Sequence, residues 1–203
     1  MIKSLFALML SSVCVVCFSQ EKWELKKDEN DIAVYTRRLN NEKYKEIKVL
    51  CEFKAPVEKL INILQDVNHH KDWVYKTTKS WLISRKNADT LFYYSEISLP
   101  WPASNRDAVV QLAVANDTLN KMTIITVTSM PGLIPEKPNL VRVPYSLGQY
   151  FITSLPGNHI KIDYTLSVSP GGSLPAWLVN YTATIGPYNT FMSLKKLVEG
   201  ARK

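Results

Sequence analysis

Cysteine is scarce in this sequence. The 203 residues include 3 cysteines, and two of them, Cys14 and Cys17, lie in an apolar N-terminal run. The rest of the chain therefore has only Cys51, which excludes an internal disulfide framework there. Its apolar neighbours Val49 and Phe53 indicate a packed strand position rather than a reactive nucleophile.

The sequence also lacks a compact block of basic residues. It has 25 lysines and arginines against 18 acidic residues, a formal net charge of +7, but the basic residues are spread along the chain. Binding along a nucleic-acid backbone needs a clustered basic surface, so we expect no nucleic-acid partner. A scattered positive charge favours weak attraction to an anionic membrane surface.

No apolar run is long enough to span a membrane comfortably. The longest begins after Lys3 and ends near Ser19, before the polar stretch that starts at Gln20. This layout predicts a signal peptide over residues 1–19 and one domain over residues 20–203, exported to the periplasm or secreted. A lipid anchor on either N-terminal cysteine is disfavoured, because Val13 and Val16 occupy positions where a lipobox has small residues.

Catalytic and metal-binding signatures are missing as well. The sequence has no nucleophile elbow, phosphate-binding loop or paired carboxylates. His69 and His70 lie near Asp72, but adjacent histidines on a helix point apart, and no further ligand follows at metal-like spacing. We therefore expect no catalytic residue, no metal and no cofactor.

What the chain does have is a long series of alternating segments that ends in one helix. Residues 108–115 and 122–130 are predicted to pair, and residues 159–168 alternate strictly. Leu91, Tyr93 and Ser95 alternate in the same way. After Gly171 and Gly172 a helical pattern runs to the C-terminus, with a predicted kink at Gly186-Pro187. An antiparallel sheet wrapped around a long C-terminal helix predicts an α+β helix-grip fold with an internal cavity.

Several short motifs occur in a characteristic order along this pattern. They are Trp23-Glu24-Leu25, residues 32–37, Asp66, Asp72-Trp73, Tyr94, Pro100-Trp101-Pro102, residues 104–107, Ser129-Met130-Pro131, Val141-Arg142-Val143 and residues 170–180. In this order and spacing the chain resembles the START domains, the lipid transfer modules related to steroidogenic acute regulatory protein, and is expected to be a bacterial, exported member. The segment from Pro100 to Asp107 is most similar to the phosphatidylcholine-carrying branch.

The resemblance implies a cavity that holds one lipid or similar hydrophobic molecule under the C-terminal helix. Its wall is expected to be formed by inward residues of the central strands and by one stripe of that helix. The predicted ligand-binding residues are Tyr94, Ile125, Val127, Arg142, Tyr164, Trp177, Tyr181, Ile185 and Tyr188. Residues 129–139 resemble the family's gating loop, and the predicted gate residues are Met130, Leu133 and Ile134.

This sequence differs from lipid-binding members of the family at several positions that bear on the identity of the ligand. Leu112 and Ala108 stand where a deep charge or a cage-type aromatic residue would help. His69, His70 and Lys71 replace a clear arginine. The resemblance therefore does not transfer a ligand identity.

Three hypotheses for the function are consistent with these observations. The leading one is a non-enzymatic, monomeric carrier that binds and transfers a lipid at a transient membrane contact. The alternative is a helix-grip enzyme, similar to cyclases and dehydratases, that acts on an apolar ring substrate. The third is an envelope interaction protein without a ligand.

Overall fold

The computed structural model describes residues 22–38 and 42–200. The predicted signal peptide, residues 1–19, lies outside the described residues, and so does the side chain of Tyr181. Within the described ranges no helix is long and apolar enough to cross a membrane.

Ten strands form one sheet. The strands are β1 Glu24–Glu29, β2 Ile32–Arg38, β3 Lys45–Phe53, β4 Thr77–Arg85, β5 Thr90–Ile97, β6 Arg106–Asp117, β7 Met122–Ser129, β8 Val141–Arg142, β9 Tyr145–Leu155 and β10 His159–Ser169. Their order across the sheet is β1-β2-β3-β10-β9-β7-β6-β5-β4, and neighbours in this order are antiparallel. Strand β8 pairs with β6 in parallel. The first three strands therefore lie beside the last two.

Helices cover the inner face of this sheet. They are α1 Val57–Gln65, a 3-10 turn Val67–His69, α2 His70–Trp73, α3 Ala176–Thr182 and α4 Ile185–Glu199. Leu60 and Leu64 of α1 lie one turn apart and are buried. On α4, Phe191 and Leu194 are buried in the same core. The architecture is the predicted α+β helix-grip fold, a curved antiparallel sheet with a long C-terminal helix.

The C-terminal helix is divided two residues earlier than the sequence predicts. Helix α3 ends at Thr182, and α4 begins at Ile185, so Pro187 lies in the first turn of α4 rather than at a kink within one helix. A proline ring inside a helix clashes with the carbonyl four residues before it, whereas the first turn tolerates proline. The chain therefore ends one helix and starts the next around Ala183.

Residues 130–140, which we call the outer segment, cover the face of the sheet opposite the helices. Arg142 anchors this segment from β8. Its guanidinium donates to both carboxylate oxygens of Asp107, at 3.0 and 2.9 Å, and to the backbone oxygens of Pro131, Ile134 and Pro135. All five guanidinium donor positions thus serve to hold the segment against the sheet.

A second contact fixes the middle of the outer segment. The Lys137 ammonium lies 3.1 Å from a carboxylate oxygen of Glu96 and 4.2 Å from the centre of the Tyr94 ring. Burial raises the pKa of Glu96, but hydrogen bonds from Lys79 and Lys137 outweigh it and hold the pKa below its usual range. Because a strand alternates its faces, Tyr94 and Glu96 lie on the outer side while Tyr93 faces the helices.

Candidate functional site

A cavity of about 300 Å³ lies between the inner face of the sheet and the helices. Strands β5, β6, β7, β9 and β10 form its floor, and α1, α2 and α4 contribute to its walls. The lining residues are mainly apolar and aromatic, with a few hydroxyl groups. They are Leu64, His70, Trp73, Val74, Tyr75, Tyr93, Ser95, Leu112, Val127, Ser146, Gly148, Tyr150, Tyr164, Leu166, Gly186, Pro187, Thr190 and Phe191.

Three aromatic rings form the side of the cavity under α4. The ring centres of Tyr150 and Tyr164 are 4.4 Å apart, and those of Tyr164 and Phe191 are 5.2 Å apart. These separations are typical of stabilising aromatic pairs. The rings therefore give the cavity a firm apolar wall on which a ligand can pack.

Three phenol groups bring hydroxyls to the same cavity. Burial raises the pKa of Tyr93, Tyr150 and Tyr164 above the usual value, so each phenol stays neutral. All three tyrosines line the cavity, so a molecule bound there lies within reach of their phenol groups. The hydroxyls can therefore donate to a bound molecule.

His70 is the buried histidine of the cavity wall. Its ring lies edge-on to Trp73 and Tyr93, with ring centres 5.1 and 5.2 Å apart. Its Nε2 lies 3.0 Å from the backbone oxygen of Leu64. Burial lowers the pKa of His70 to about 4, so the ring is neutral at pH 7. A neutral ring that donates from Nε2 leaves Nδ1 as an acceptor.

The cavity reaches the surface between the start of β4 and the first turns of α4. Tyr75 is 39% exposed there. A Cβ atom on Gly186 would lie 3.9 Å from the Tyr75 ring, and the backbone N–H of Tyr75 donates to the Thr190 hydroxyl at 3.2 Å. Among the lining residues that the structure describes, Tyr75 is the exposed one, so we assign this edge as the cavity's mouth.

Val127 and Tyr164 are the predicted ligand-binding residues that the structure places at the cavity. Ligand contact by either stays a prediction. Ile125 lies two positions before Val127 on the same face of β7, but it is fully buried in the core. Tyr188 is also buried, and its hydroxyl accepts a hydrogen bond of 2.8 Å from Asn30.

The other predicted residues of the last helices lie away from the cavity. Trp177 is 71% exposed on α3, and Ile185 is 38% exposed at the start of α4. The predicted contact of Tyr181 falls on a side chain outside the described residues. The helix face at the cavity is instead formed by Gly186, Pro187, Thr190 and Phe191.

Tyr94 and Arg142 require a correction, because both lie on the outer face of the sheet. Tyr94 is fully buried there and donates to Glu96 at 3.0 Å. Arg142 is committed to Asp107 and the outer segment. The neighbour Tyr93 lines the cavity in place of Tyr94, since a shift of one residue reverses the face of a strand.

The predicted gate residues lie on the outer side of the sheet. Met130, Leu133 and Ile134 belong to the outer segment or its first turn, which Arg142 holds against the outer face. The cavity lies on the other side of the sheet. Their role as a gate stays a prediction.

A smaller apolar pocket of about 230 Å³ lies at one end of the sheet, between the β5–β6 connection and α3. We call it the end pocket. Two exposed tryptophans flank it: Trp101 is 91% exposed and follows the lining residue Pro100, and Trp177 precedes the lining residue Leu178. Within it the buried Arg106 donates to backbone oxygens of residues 104, 170 and 171.

Comparison with known proteins identifies the family. A model described as START domain matches residues 6–198. The chain belongs to the START domain family. An uncharacterized protein of Pseudomonas aeruginosa is 30% identical over 179 residues, which cover 88% of each chain. Human phosphatidylcholine transfer protein is 28% identical over 190 residues, covering 89% of this chain and 86% of that one. A crystallised STAR-related lipid transfer protein fragment from Xanthomonas axonopodis superposes with a TM-score of 0.81 at 28% identity, covering 87% of this chain and 98% of the fragment.

His70, Tyr93 and Tyr150 are among the residues of this START cavity that sequence reasoning missed. The alternation of Leu91, Tyr93 and Ser95 was the signal for Tyr93, because these residues share one face. His70 carried no such signal in the sequence, yet the residue is only 5% exposed. Among the described residues, no group of three or more His, Cys, Asp or Glu side chains could hold a metal ion.

Proposed function

We propose that this START domain binds one lipid or similar amphiphile in the inner cavity and carries it between membranes without converting it chemically. The observation that supports this most directly is the apolar and aromatic cavity of about 300 Å³ under α4. Concave apolar sites with a few polar groups are typical ligand sites. The names of the relatives, a phosphatidylcholine transfer protein and a STAR-related lipid transfer protein, point to the same class of ligand.

Binding in such a cavity is driven by removal of apolar surface from water. The favourable term is roughly 25 cal/mol per Å² of buried apolar area, from which the costs of ordering the ligand must be subtracted. The mouth at Tyr75 and Gly186 provides the route of entry. Movement of the first turns of α4 away from Tyr75 breaks the hydrogen bond to Thr190.

The proposal includes contact with a membrane through the end pocket. Trp101 and Trp177 are exposed, and each is adjacent in sequence to a residue that lines the apolar end pocket. Tryptophan is favoured at membrane interfaces because its ring is apolar and its N–H is polar. Docking at this end places α3, which leads directly into α4, against the lipid headgroups.

A filled cavity should abolish uptake. Val127→Trp puts a bulky ring into the cavity, whereas Thr126→Trp puts the same ring on the other face of β7. Each protein would be incubated with vesicles of phosphatidylcholine and phosphatidylglycerol that also contain decanol, re-isolated, and examined by native mass spectrometry. We expect a retained amphiphile in the wild type and Thr126→Trp but not in Val127→Trp. Equal retention in all three, or a chemically converted product, would contradict the proposal.

Membrane contact has its own test. Trp101→Ala and Trp177→Ala together should weaken sedimentation with the same vesicles by about tenfold, since each exposed aromatic ring contributes to partitioning. Leu119→Ala is the matched control: Leu119 is 92% exposed, but it lies beyond the opposite end of β6. A loss of vesicle binding in the control as large as in the double variant would rule out the end pocket as the docking site.

We also propose that the protein acts as an exported single chain. The basis is the signal-like sequence of residues 1–19. N-terminal sequencing should find a mature protein that begins near Gln20, and native mass spectrometry should find one chain for each bound ligand. An intact Met1 in a cytoplasmic fraction would contradict export.

A further inference from the structure

The wall of the inner cavity carries no formal charge. Among the described residues that line it, none is Asp, Glu, Lys or Arg. Its histidine is neutral because burial lowers the pKa of His70. An ionised group placed in such a site loses its water and gains no opposite charge, which is unfavourable. Binding of a charged headgroup inside the cavity is therefore unfavourable.

The polar groups at the cavity are instead neutral donors and acceptors. The side chains of Tyr93, Tyr150 and Tyr164 line the cavity, and Tyr93 and Tyr150 are buried. Gly148 makes room for one of them, since a Cβ atom at this position would lie 3.2 Å from the Tyr164 oxygen. Nδ1 of His70 adds an acceptor. Neutral groups of this kind match a hydroxyl or a carbonyl.

The size of the cavity points in the same direction. A cavity of about 300 Å³ lies at the lower end of the roughly 300–1,000 Å³ that is typical of sites for drug-sized ligands. A diacyl phospholipid has more non-hydrogen atoms than such ligands. This cavity fits a ligand with a small apolar body, even though a relative is named for phosphatidylcholine transfer.

We propose that the cavity takes a compact, uncharged amphiphile whose hydroxyl or carbonyl group meets the hydroxyls of Tyr93, Tyr150 and Tyr164, and that it does not take a diacyl phospholipid. This inference rests on the proposed carrier function and narrows its ligand class. The rings of Tyr150, Tyr164 and Phe191 pack against the apolar body.

Three probes with the same chain and different headgroups separate the effect of charge from that of chain burial. Decanol is neutral, decanoate is anionic at pH 7.5, and decylphosphocholine is zwitterionic. Binding of each would be measured by isothermal titration calorimetry on delipidated protein at pH 7.5. We expect decanol to bind at least about tenfold more tightly than either charged probe, because burial of an unpaired charge is unfavourable.

Variants of one tyrosine locate the headgroup. Tyr164→Phe removes a hydroxyl and keeps the ring, so it should weaken decanol binding about 2- to 12-fold. Gly148→Ala displaces the same hydroxyl without removing it and should weaken binding in the same direction. Tyr145→Phe is the matched control, because Tyr145 is 48% exposed and does not line the cavity.

The outcomes distinguish this inference from the carrier function itself. Tighter binding of decanol that depends on Tyr164 supports both. Tighter binding of decylphosphocholine or decanoate, blocked by Val127→Trp, keeps the carrier function and overturns the uncharged ligand. Decanol binding that is unchanged in Tyr164→Phe and Gly148→Ala also overturns the assigned headgroup contact. If none of the probes binds and no amphiphile is retained from vesicles, both proposals are wrong.

Discussion

The stability of this protein should fall in mild acid, and His70 should account for much of the fall. The ring is 5% exposed, and burial lowers its pKa from 6.5 to about 4. Between these two pH values the unfolded chain binds a proton that the folded chain excludes. Protonation therefore favours the unfolded state, and stability is lost as pH falls below 6.5.

The magnitude follows from the two pKa values. A tenfold difference in proton affinity corresponds to about 1.4 kcal/mol, so the loss reaches about 3 kcal/mol near pH 4. Between pH 7.5 and pH 5 the same relation gives a loss of about 2 kcal/mol. Above pH 6.5 both states are neutral at this ring, and the contribution of His70 to the pH dependence vanishes.

Urea unfolding at pH 7.5 and pH 5 measures this loss for the wild type and for His70→Gln. Glutamine does not titrate, and its side-chain amide can still donate to the Leu64 oxygen. We expect His70→Gln to be less stable at pH 7.5, because it loses ring contacts with Trp73 and Tyr93. The difference between the two pH values should nevertheless shrink by about 2 kcal/mol.

The adjacent histidine is the matched control. His69 is exposed, and its hydrogen bond with Asp66 raises its pKa, so protonation of this ring favours the folded state. His69→Gln should leave the loss of stability in acid in place. If His70→Gln shows the wild-type loss between pH 7.5 and pH 5, the buried ring is not its source and the argument fails.

Three further substitutions test the packing by urea or thermal unfolding. Asp107→Asn leaves the buried Arg142 without its carboxylate and should cost about 3–5 kcal/mol; a cost below about 1 kcal/mol would refute a structural ion pair. Gly171→Ala should cost at least about 1–2 kcal/mol, since φ is +69° and the new Cβ would lie 2.9 Å from a backbone oxygen. Leu194→Ala should lower the free energy of unfolding by about 2–5 kcal/mol, and the exposed Leu197→Ala by less than about 0.5 kcal/mol. Similar losses in the two variants would contradict the packing of α4 described above.

The sheet could be predicted well from the sequence because inward and outward residues alternate along its strands. In β10, Ile160 and Ile162 are buried while Lys161 is exposed, as the strict alternation requires. The predicted pairing of residues 108–115 with residues 122–130 is observed as β6 with β7. Alternation and turn spacing are local properties, so a single sequence contains them.

Alternation could not decide which side chains of β5 face the cavity. Tyr93 and Tyr94 are 9% and 0% exposed, so both faces of this strand are buried. The outer face is buried because Lys137 and the rest of the outer segment pack on it. That contact joins residues far apart in sequence, and the motif around Tyr94 does not reveal it. The cavity residue was therefore assigned to the wrong tyrosine.

The strand order has a consequence for how the chain folds. Phe53 at the end of β3 pairs with Ile160 of β10, 107 positions later. Long loops are costly to close, and non-local pairing slows folding. Until β10 is available, one edge of β3 keeps unpaired backbone groups that can pair with another chain. We therefore expect aggregation during synthesis to begin at the unpaired edge of β3.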